Sequence, residues 1–244
     1  MRLFPIFTLM NLSTSQRQIA VLIDPDKTDA AKVQQTVATA TKAGVDFFLV
    51  GGSLLLKNNL EEVIAAIKKS TRKKVYLFPG NPMQISPKAD GILLLSLISG
   101  RNADLLIGHH VQAAPLLKQA KLQIVPTGYI LVDSGTPTTV SYISNTTPVP
   151  SGKPEIAACT ALAGEQLGLK CIYLEAGSGA QQPVPKEMIK AVRKQLSVPL
   201  IVGGGLRSKE QIEQAFQAGA NVVVIGTAIE KNPAFLQEIK DIQR

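Results

Sequence analysis

Eight short apolar runs, separated by stripes at helical spacing, recur along the chain and leave few folds open. They fall at residues 19–24, 47–51, 75–78, 91–97, 123–129, 171–175, 199–202 and 221–225. Most are continuous β-branched or leucine-rich runs, the pattern of parallel strands covered on both faces. Leu60, Val63, Ile64 and Ile67 form one intervening stripe, and Ile212, Ala215, Phe216 and Gly219 another. Strands alternating with helices imply a parallel sheet, and eight of them imply closure into a (β/α)8 TIM barrel. The length, 244 residues, suits one such domain over 1–244, since eight-fold barrels run to about 250 residues.

Two stretches break the rhythm. Between Phe78 and Gly91 lie Pro79, Pro82 and Pro87, with Gly80 among them. A barrel helix does not fit around three prolines, so the third helix is expected to be missing or replaced, opening the wall beside strands 2 to 4. Residues 133–154 are rich in Thr, Ser, Pro and Gly and read as a long loop after strand 5.

The formal charge of +8 admits nucleic acid, anionic lipid headgroups or phosphorylated small molecules as partners. With no Trp, and aromatic residues not interleaved with the basic ones, nucleic acid is disfavoured. Transient contact with a membrane surface remains compatible. No apolar run is long enough to span a bilayer. Met1 to Met10 hold one Arg, are broken by Pro5 and precede no small-residue cleavage site, so a cytoplasmic location is expected. Cys159 and Cys171 are expected to be reduced thiols.

Candidate chemistry gathers at strand ends. Strand 7 runs into Gly203-Gly204-Gly205 and strand 8 into Gly226-Thr227, each before a helix start. In barrels these two loops often bind phosphate through backbone N–H groups, and glycine lets the backbone approach the anion. Asp24, in Ile23-Asp24-Pro25-Asp26-Lys27, is placed to hold a hard cation such as Mg²⁺, with Ser53 of Gly51-Gly52-Ser53 near the same metal or phosphate. Asp24 comes too early to cap helix 1; Asp26 or Thr28 is expected in that role. Glu175 closes strand 6 among apolar residues, where desolvation would raise its pKa toward that of a general base, unless a buried Lys or Arg pairs with it. Alternation puts Tyr173 on the same side. His109 and His110 lack metal-ligand spacing and are expected to lie on the surface or to serve helix packing.

Together, IDPDK at 23–27, GGS at 51–53, YLEAGSGA at 173–180, VGGGLRS at 202–208 and IGTAIE at 225–230 resemble the geranylgeranylglyceryl phosphate synthase family. That family also has an altered barrel at the third helix. The resemblance implies a phosphoglycerol geranylgeranyltransferase, a prenyltransferase of lipid biosynthesis that joins a prenyl diphosphate to the 3-hydroxyl of sn-glycerol 1-phosphate with Mg²⁺. Asp24 and Ser53 would hold the metal. Tyr173, Leu174, Glu175, Ala176, Gly177, Ser178, Gly179, Gly204, Gly205, Gly226 and Thr227 would hold glycerol phosphate. Glu175 would be the base, with Tyr173 orienting it. Some bacterial members carry Lys two residues before the Asp; Leu22 stands there in this chain, which favours the archaeal-type group and a geranylgeranyl donor. A homodimer is implied, with a hexamer as a further option and Tyr142, in the long loop, as an anchor for larger rings. Other readings are an isomerase or cyclase of phosphorylated metabolites on a similar barrel, or a non-catalytic phosphate- or lipid-binding protein.

Overall fold

A computed structural model describes residues 12–240 and 242; the opening segment that bears on targeting, Met1 to Met10, lies outside the described residues. Eight parallel strands close in sequence order: β1 Gln18–Ile23, β2 Phe47–Val50, β3 Lys74–Leu77, β4 Gly91–Leu97, β5 Gln123–Leu131, β6 Cys171–Glu175, β7 Leu200–Gly203 and β8 Val222–Ile225. β8 returns to β1 with Gln18 opposite Val222. Among the described residues no helix is long and apolar enough to cross a membrane.

The two faces of the strands bury different partners. Ala20, Leu49, Leu93, Val125, Tyr173 and Val224 turn inward and fill the barrel. Ile19, Val21, Phe48, Ile130, Ile172 and Val223 turn outward, to be covered by helices. Because both faces are buried, the strand sequences show no polar alternation. The outer helices are α1 Ala30–Lys42, α2 Leu60–Ser70, α3 His109–Ala120, α4 Thr139–Ser144, α5 Pro154–Gln166, α6 Lys186–Gln195, α7 Lys209–Gln217, α8 Thr227–Lys231 and α9 Phe235–Ile239.

No helix is described between β3 and β4, as the prolines dictate. A segment of turns and bends takes its place. Buried Gln84 pins it, donating from Nε2 to the Gly52 carbonyl (3.0 Å) and accepting from the Gly80 N–H (3.1 Å). β3 and β4 pair over just Tyr76–Gly91 and Leu77–Ile92, whereas β4 and β5 pair from Gly91–Gln123 to Leu97–Tyr129.

Two expectations need correction. The long loop at 133–154 contains α4, which starts with a capping box in which Thr138 and Ser141 satisfy each other's backbone N–H. Helix α1 is capped by Asp29, whose side chain accepts from the Lys32 N–H at 2.9 Å, and not by Asp26 or Thr28. Asp24 does cap a helical segment, the single 3-10 turn Pro25–Lys27, accepting from the Asp26 N–H at 3.1 Å. Both Asp26 oxygens instead accept from the Leu56 and Lys57 N–H groups (2.6 and 2.9 Å), tying this turn to the loop after β2.

Candidate active site

The C-terminal ends of the strands surround one cavity, the mouth. Asp24, Ser53, Tyr173, Glu175 and Lys27 line it, as do the backbones of Gly177–Gly179, Gly204–Gly205 and Gly226–Thr227. Residues from five separate motifs therefore meet. Each arrives for the same reason: a parallel barrel delivers every βα turn to the same pole. Leu174 and Ala176 do not join them: strand alternation turns both outward, into the layer beneath the helices.

Glu175 is 5 % exposed. Its Oε1 accepts a 2.6 Å hydrogen bond from the Gly177 N–H, made possible by the turn at Gly177 (φ +101°). Burial pushes its carboxyl up to about 7, against the opposing pull of that backbone bond and of nearby Tyr173. Among the described residues no Lys or Arg forms an ion pair with it. Such a group is balanced between its acid and base forms near neutrality.

Tyr173 lies on the inward face beside Glu175, fully buried. Its hydroxyl lowers the Glu175 pKa by proximity, yet it meets hydrogen-bond geometry with no protein atom. The hydroxyl stands close to the carboxylate without a formed bond. A buried, unpartnered O–H is costly, and a small rotation or a bound polar group would satisfy it. Its ring stacks on Phe78 (centroids 5.2 Å apart) and tilts against Tyr129 (5.4 Å), so three aromatic residues form the floor of the mouth.

On the other side of the mouth, the backbone N–H groups of Ser178, Gly179, Gly204 and Gly205 donate to no carbonyl in the described turns. The Ser178 and Thr227 hydroxyls are 3.3 Å apart. Such a set of free donors fits an anionic group. The fold itself supplies a further reason for glycine at Gly204. A Cβ on Gly204 (φ +84°) would stand 2.4 Å from Glu175 Oε1 and 2.6 Å from the Gly177 N, so the protein's own atoms exclude it. At Gly226 the nearest contact would be the Leu22 carbonyl at 3.4 Å, and the position has room. Gly204→Ala is therefore expected to cost about 1–2 kcal/mol from backbone strain alone and to displace Glu175, while Gly226→Ala keeps a near-native melting temperature. Thermal melts of the two variants, side by side, check this; equal melting temperatures would refute it.

Asp24 and Ser53 both reach the mouth, with Asp24 Oδ1 lying beside Gly52. Among the described residues no group of three His, Cys, Asp or Glu side chains could hold a metal by itself. One carboxylate and one hydroxyl suit Mg²⁺, which is usually held by one or two carboxylates and substrate phosphates.

Beyond Ser53 the mouth continues into a groove on the side where the helix is missing. The two share Gly52, Ser53, Leu54, Phe78, Tyr129 and Val140, and the groove then runs past Ile92, Leu94, Leu105, Ala113 and Leu117. Its lining is dominated by apolar side chains, supplied by β4, α3 and the π-helical turn Asp104–Gly108. His110, on α3, reaches strand β4 and not another helix: its Nε2 lies 2.9 Å from the Leu95 carbonyl oxygen. His109 also faces the groove.

Sequence reasoning missed three of the residues at the mouth. Tyr129 lies two residues before the true end of β5 and so inside the mouth. Arg207 donates to the Gly179 and Ala180 carbonyls, bracing the turn after β6. Glu230 forms an ion pair with Lys27 across the mouth. A cation directly after Gly203-Gly204-Gly205-Leu206 was a visible signal for Arg207; nothing local marked Glu230. Cys171, buried in the barrel with its thiol pushed up to about 12 by burial, is inert, and Cys159 is exposed and free.

Comparison with known proteins agrees with this layout. The model of the PcrB family matches residues 12–243. The chain is 54% identical to geranylgeranylglyceryl phosphate synthase of Spirosoma linguale over 231 residues, 95% of this chain and 93% of that one. With the Korarchaeum cryptofilum enzyme of the same name it shares 40% identity over 92% of both chains. A crystal structure of (S)-3-O-geranylgeranylglyceryl phosphate synthase from Thermoplasma acidophilum, in complex with sn-glycerol-1-phosphate, superimposes with a TM-score of 0.90 at 32% identity, covering 99% of this chain and 97% of that one. The chain belongs to the PcrB family.

Proposed function

We propose that the chain acts as one barrel domain that transfers a prenyl group, geranylgeranyl, from its diphosphate to the 3-hydroxyl of sn-glycerol 1-phosphate. The observation that carries this reading is a buried carboxylate, Glu175, titrating at about 7 where a polar cradle meets an apolar side groove. An isomerase or cyclase of small phosphorylated metabolites has no use for such a groove. Relatives bearing the synthase name in both S. linguale and K. cryptofilum favour the same activity.

Glycerol phosphate would lie with its phosphate against the free N–H groups of Ser178, Gly179, Gly204 and Gly205 and the Thr227 hydroxyl, beside Gly226. Tyr173 and Gly177 form the wall that carries its hydroxyl to Glu175. The glycerol oxygen attacks C1 of the prenyl group as the bond from C1 to the diphosphate oxygen breaks. Glu175 takes the hydroxyl proton, and the diphosphate leaves with the bonding electron pair. Asp24 and Ser53 would hold Mg²⁺ against the diphosphate; the chemistry such an ion supplies is neutralisation of the charge that develops there. After a small rotation the Tyr173 hydroxyl would donate to the Glu175 carboxylate and orient it.

Incubation with radiolabelled glycerol phosphate, a series of prenyl diphosphates and Mg²⁺ is expected to give an organic-extractable product. Absence of product with every donor rejects the reading.

We further propose a cytoplasmic homo-oligomer, at least a dimer. Tyr142 is 84 % exposed on α4 and does not pack on its own barrel, which suits an intersubunit anchor. Exposed Leu56, Met83, Ile107 and Val111 flank segments that line the groove, consistent with transient contact with a membrane surface. Light scattering at micromolar concentration is expected to give at least a dimer, and a smaller mass for Tyr142→Ala. A monomeric wild type removes the assembly, and an unchanged variant mass removes the anchor.

A further inference from the structure

Two anionic substrates would meet in a mouth whose described lining holds four carboxylates, Asp24, Asp26, Glu175 and Glu230, against two cationic side chains, Lys27 and Arg207. Arg207 sits at the cradle end, donating to the carbonyls of Gly179 and Ala180. Lys27 sits at the other end. Its Nζ lies 3.0 Å from Asp24 Oδ2 and 3.5 Å from Glu230 Oε2, bridging the turn after β1 to helix α8.

The turn that carries Lys27 is firmly mounted. Asp26 accepts from the Leu56 and Lys57 N–H groups, and Asn59 donates from Nδ2 to the Pro25 carbonyl at 2.8 Å. The backbone of Lys27 is therefore fixed relative to the loop that carries Ser53, while its side chain is held by the ion pairs to Asp24 and Glu230. That side chain is 46% exposed, while its partners Asp24 and Glu230 are 18% and 29% exposed. Like any lysine, whose ordinary pKa is about 10.4, Lys27 brings an ammonium to the mouth at neutral pH.

Lys27 thus rests on an oxygen of the carboxylate assigned to Mg²⁺. A divalent cation on Asp24 would repel the ammonium, and with Asp24 as its sole partner Lys27 would be driven into solvent. Glu230 offers a second anchor at the same mouth. An ammonium has three donors, so an anchor on Glu230 leaves others for phosphate oxygens. We propose that Lys27 is a ligand of the departing diphosphate, and that Glu230 is the positioning residue that keeps its ammonium at the mouth once Asp24 turns to the metal. This rests on the prenyl transfer proposed above.

Calorimetric titration with inorganic pyrophosphate and Mg²⁺, and separately with sn-glycerol 1-phosphate, tests both levels. Wild type should bind both probes; failure to bind either overturns the function itself. Lys27→Gln is expected to weaken pyrophosphate binding at least about tenfold and to leave glycerol phosphate affinity nearly unchanged, with Lys27→Arg recovering most of the loss. Glu230→Gln should lose less, and the double variant should bind no more weakly than Lys27→Gln alone, because Glu230 acts through the lysine. Wild-type pyrophosphate affinity in Lys27→Gln or, should that variant not fold, in Lys27→Met overturns the lysine's role. Multiplicative losses in the double variant overturn that of Glu230.

Discussion

Glu175→Gln is expected to lower kcat by about 10²–10⁴-fold, the range associated with a positioned acid–base group. Gln keeps the shape of the side chain and an oxygen to accept the Gly177 N–H, so the turn at 176–179 should survive. What it cannot do is take a proton. In the wild type the base form must be present, so kcat should rise with pH through about 7 and then level off. Stability should move in the opposite direction. The carboxyl's pKa is raised on folding from 4.5 to about 7, so its contribution is most favourable below 4.5 and is lost as pH rises through about 7. Above that value Glu175→Gln should therefore melt higher than wild type, and the gain should fade in acid. A variant that loses activity and also melts lower at pH 8 has lost its fold, and a loss in kcat under tenfold would move the base elsewhere.

Asp24→Asn should bring turnover below detection while the barrel stays intact. The amide oxygen can still accept from the Asp26 N–H, so the 3-10 turn keeps its cap. The charge is gone, and with it both the 3.0 Å ion pair to Lys27 and the carboxylate proposed for Mg²⁺. Circular dichroism of the variant should match wild type, and excess chelator should silence the wild-type enzyme to the same level. Near-normal turnover by the variant, or full wild-type activity in chelator, would remove the metal from the reaction.

The barrel was legible because strands covered on both faces are written as unbroken apolar runs, such as Val222–Ile225. The replaced third helix was legible because three prolines in one connection cannot be helical. Glu175 and Tyr173 could be placed together because residues two apart in a strand share a face. Helix α4 escaped because its capping box uses Ser141 at the third position, a much weaker sign than Glu or Gln. The cap of α1 was assigned to Asp26 or Thr28 in place of Asp29 because four oxygen-bearing residues, Asp24, Asp26, Thr28 and Asp29, crowd six positions, and only the backbone path chooses among them. The groove was hidden for another reason. Leu105, Ala113 and Leu117 read as ordinary core, and apolar periodicity cannot say whether a stripe packs on a sheet or lines a slot. The Lys27–Glu230 contact joins the two ends of the chain, which no local pattern can announce.

The wall left without a helix changes how a long hydrocarbon can come and go. A closed bore must be threaded end first, so the time to enter or escape grows with the length of the guest. A slot running along the flank past Ile92 and Leu94 lets a chain settle broadside and lift out the same way, head and tail together. Each CH₂ that lies within the slot contributes about 0.8 kcal/mol of burial, and each one hanging past its end contributes nothing. Affinity should therefore climb with donor length and then reach a plateau, with overlong donors tolerated rather than rejected.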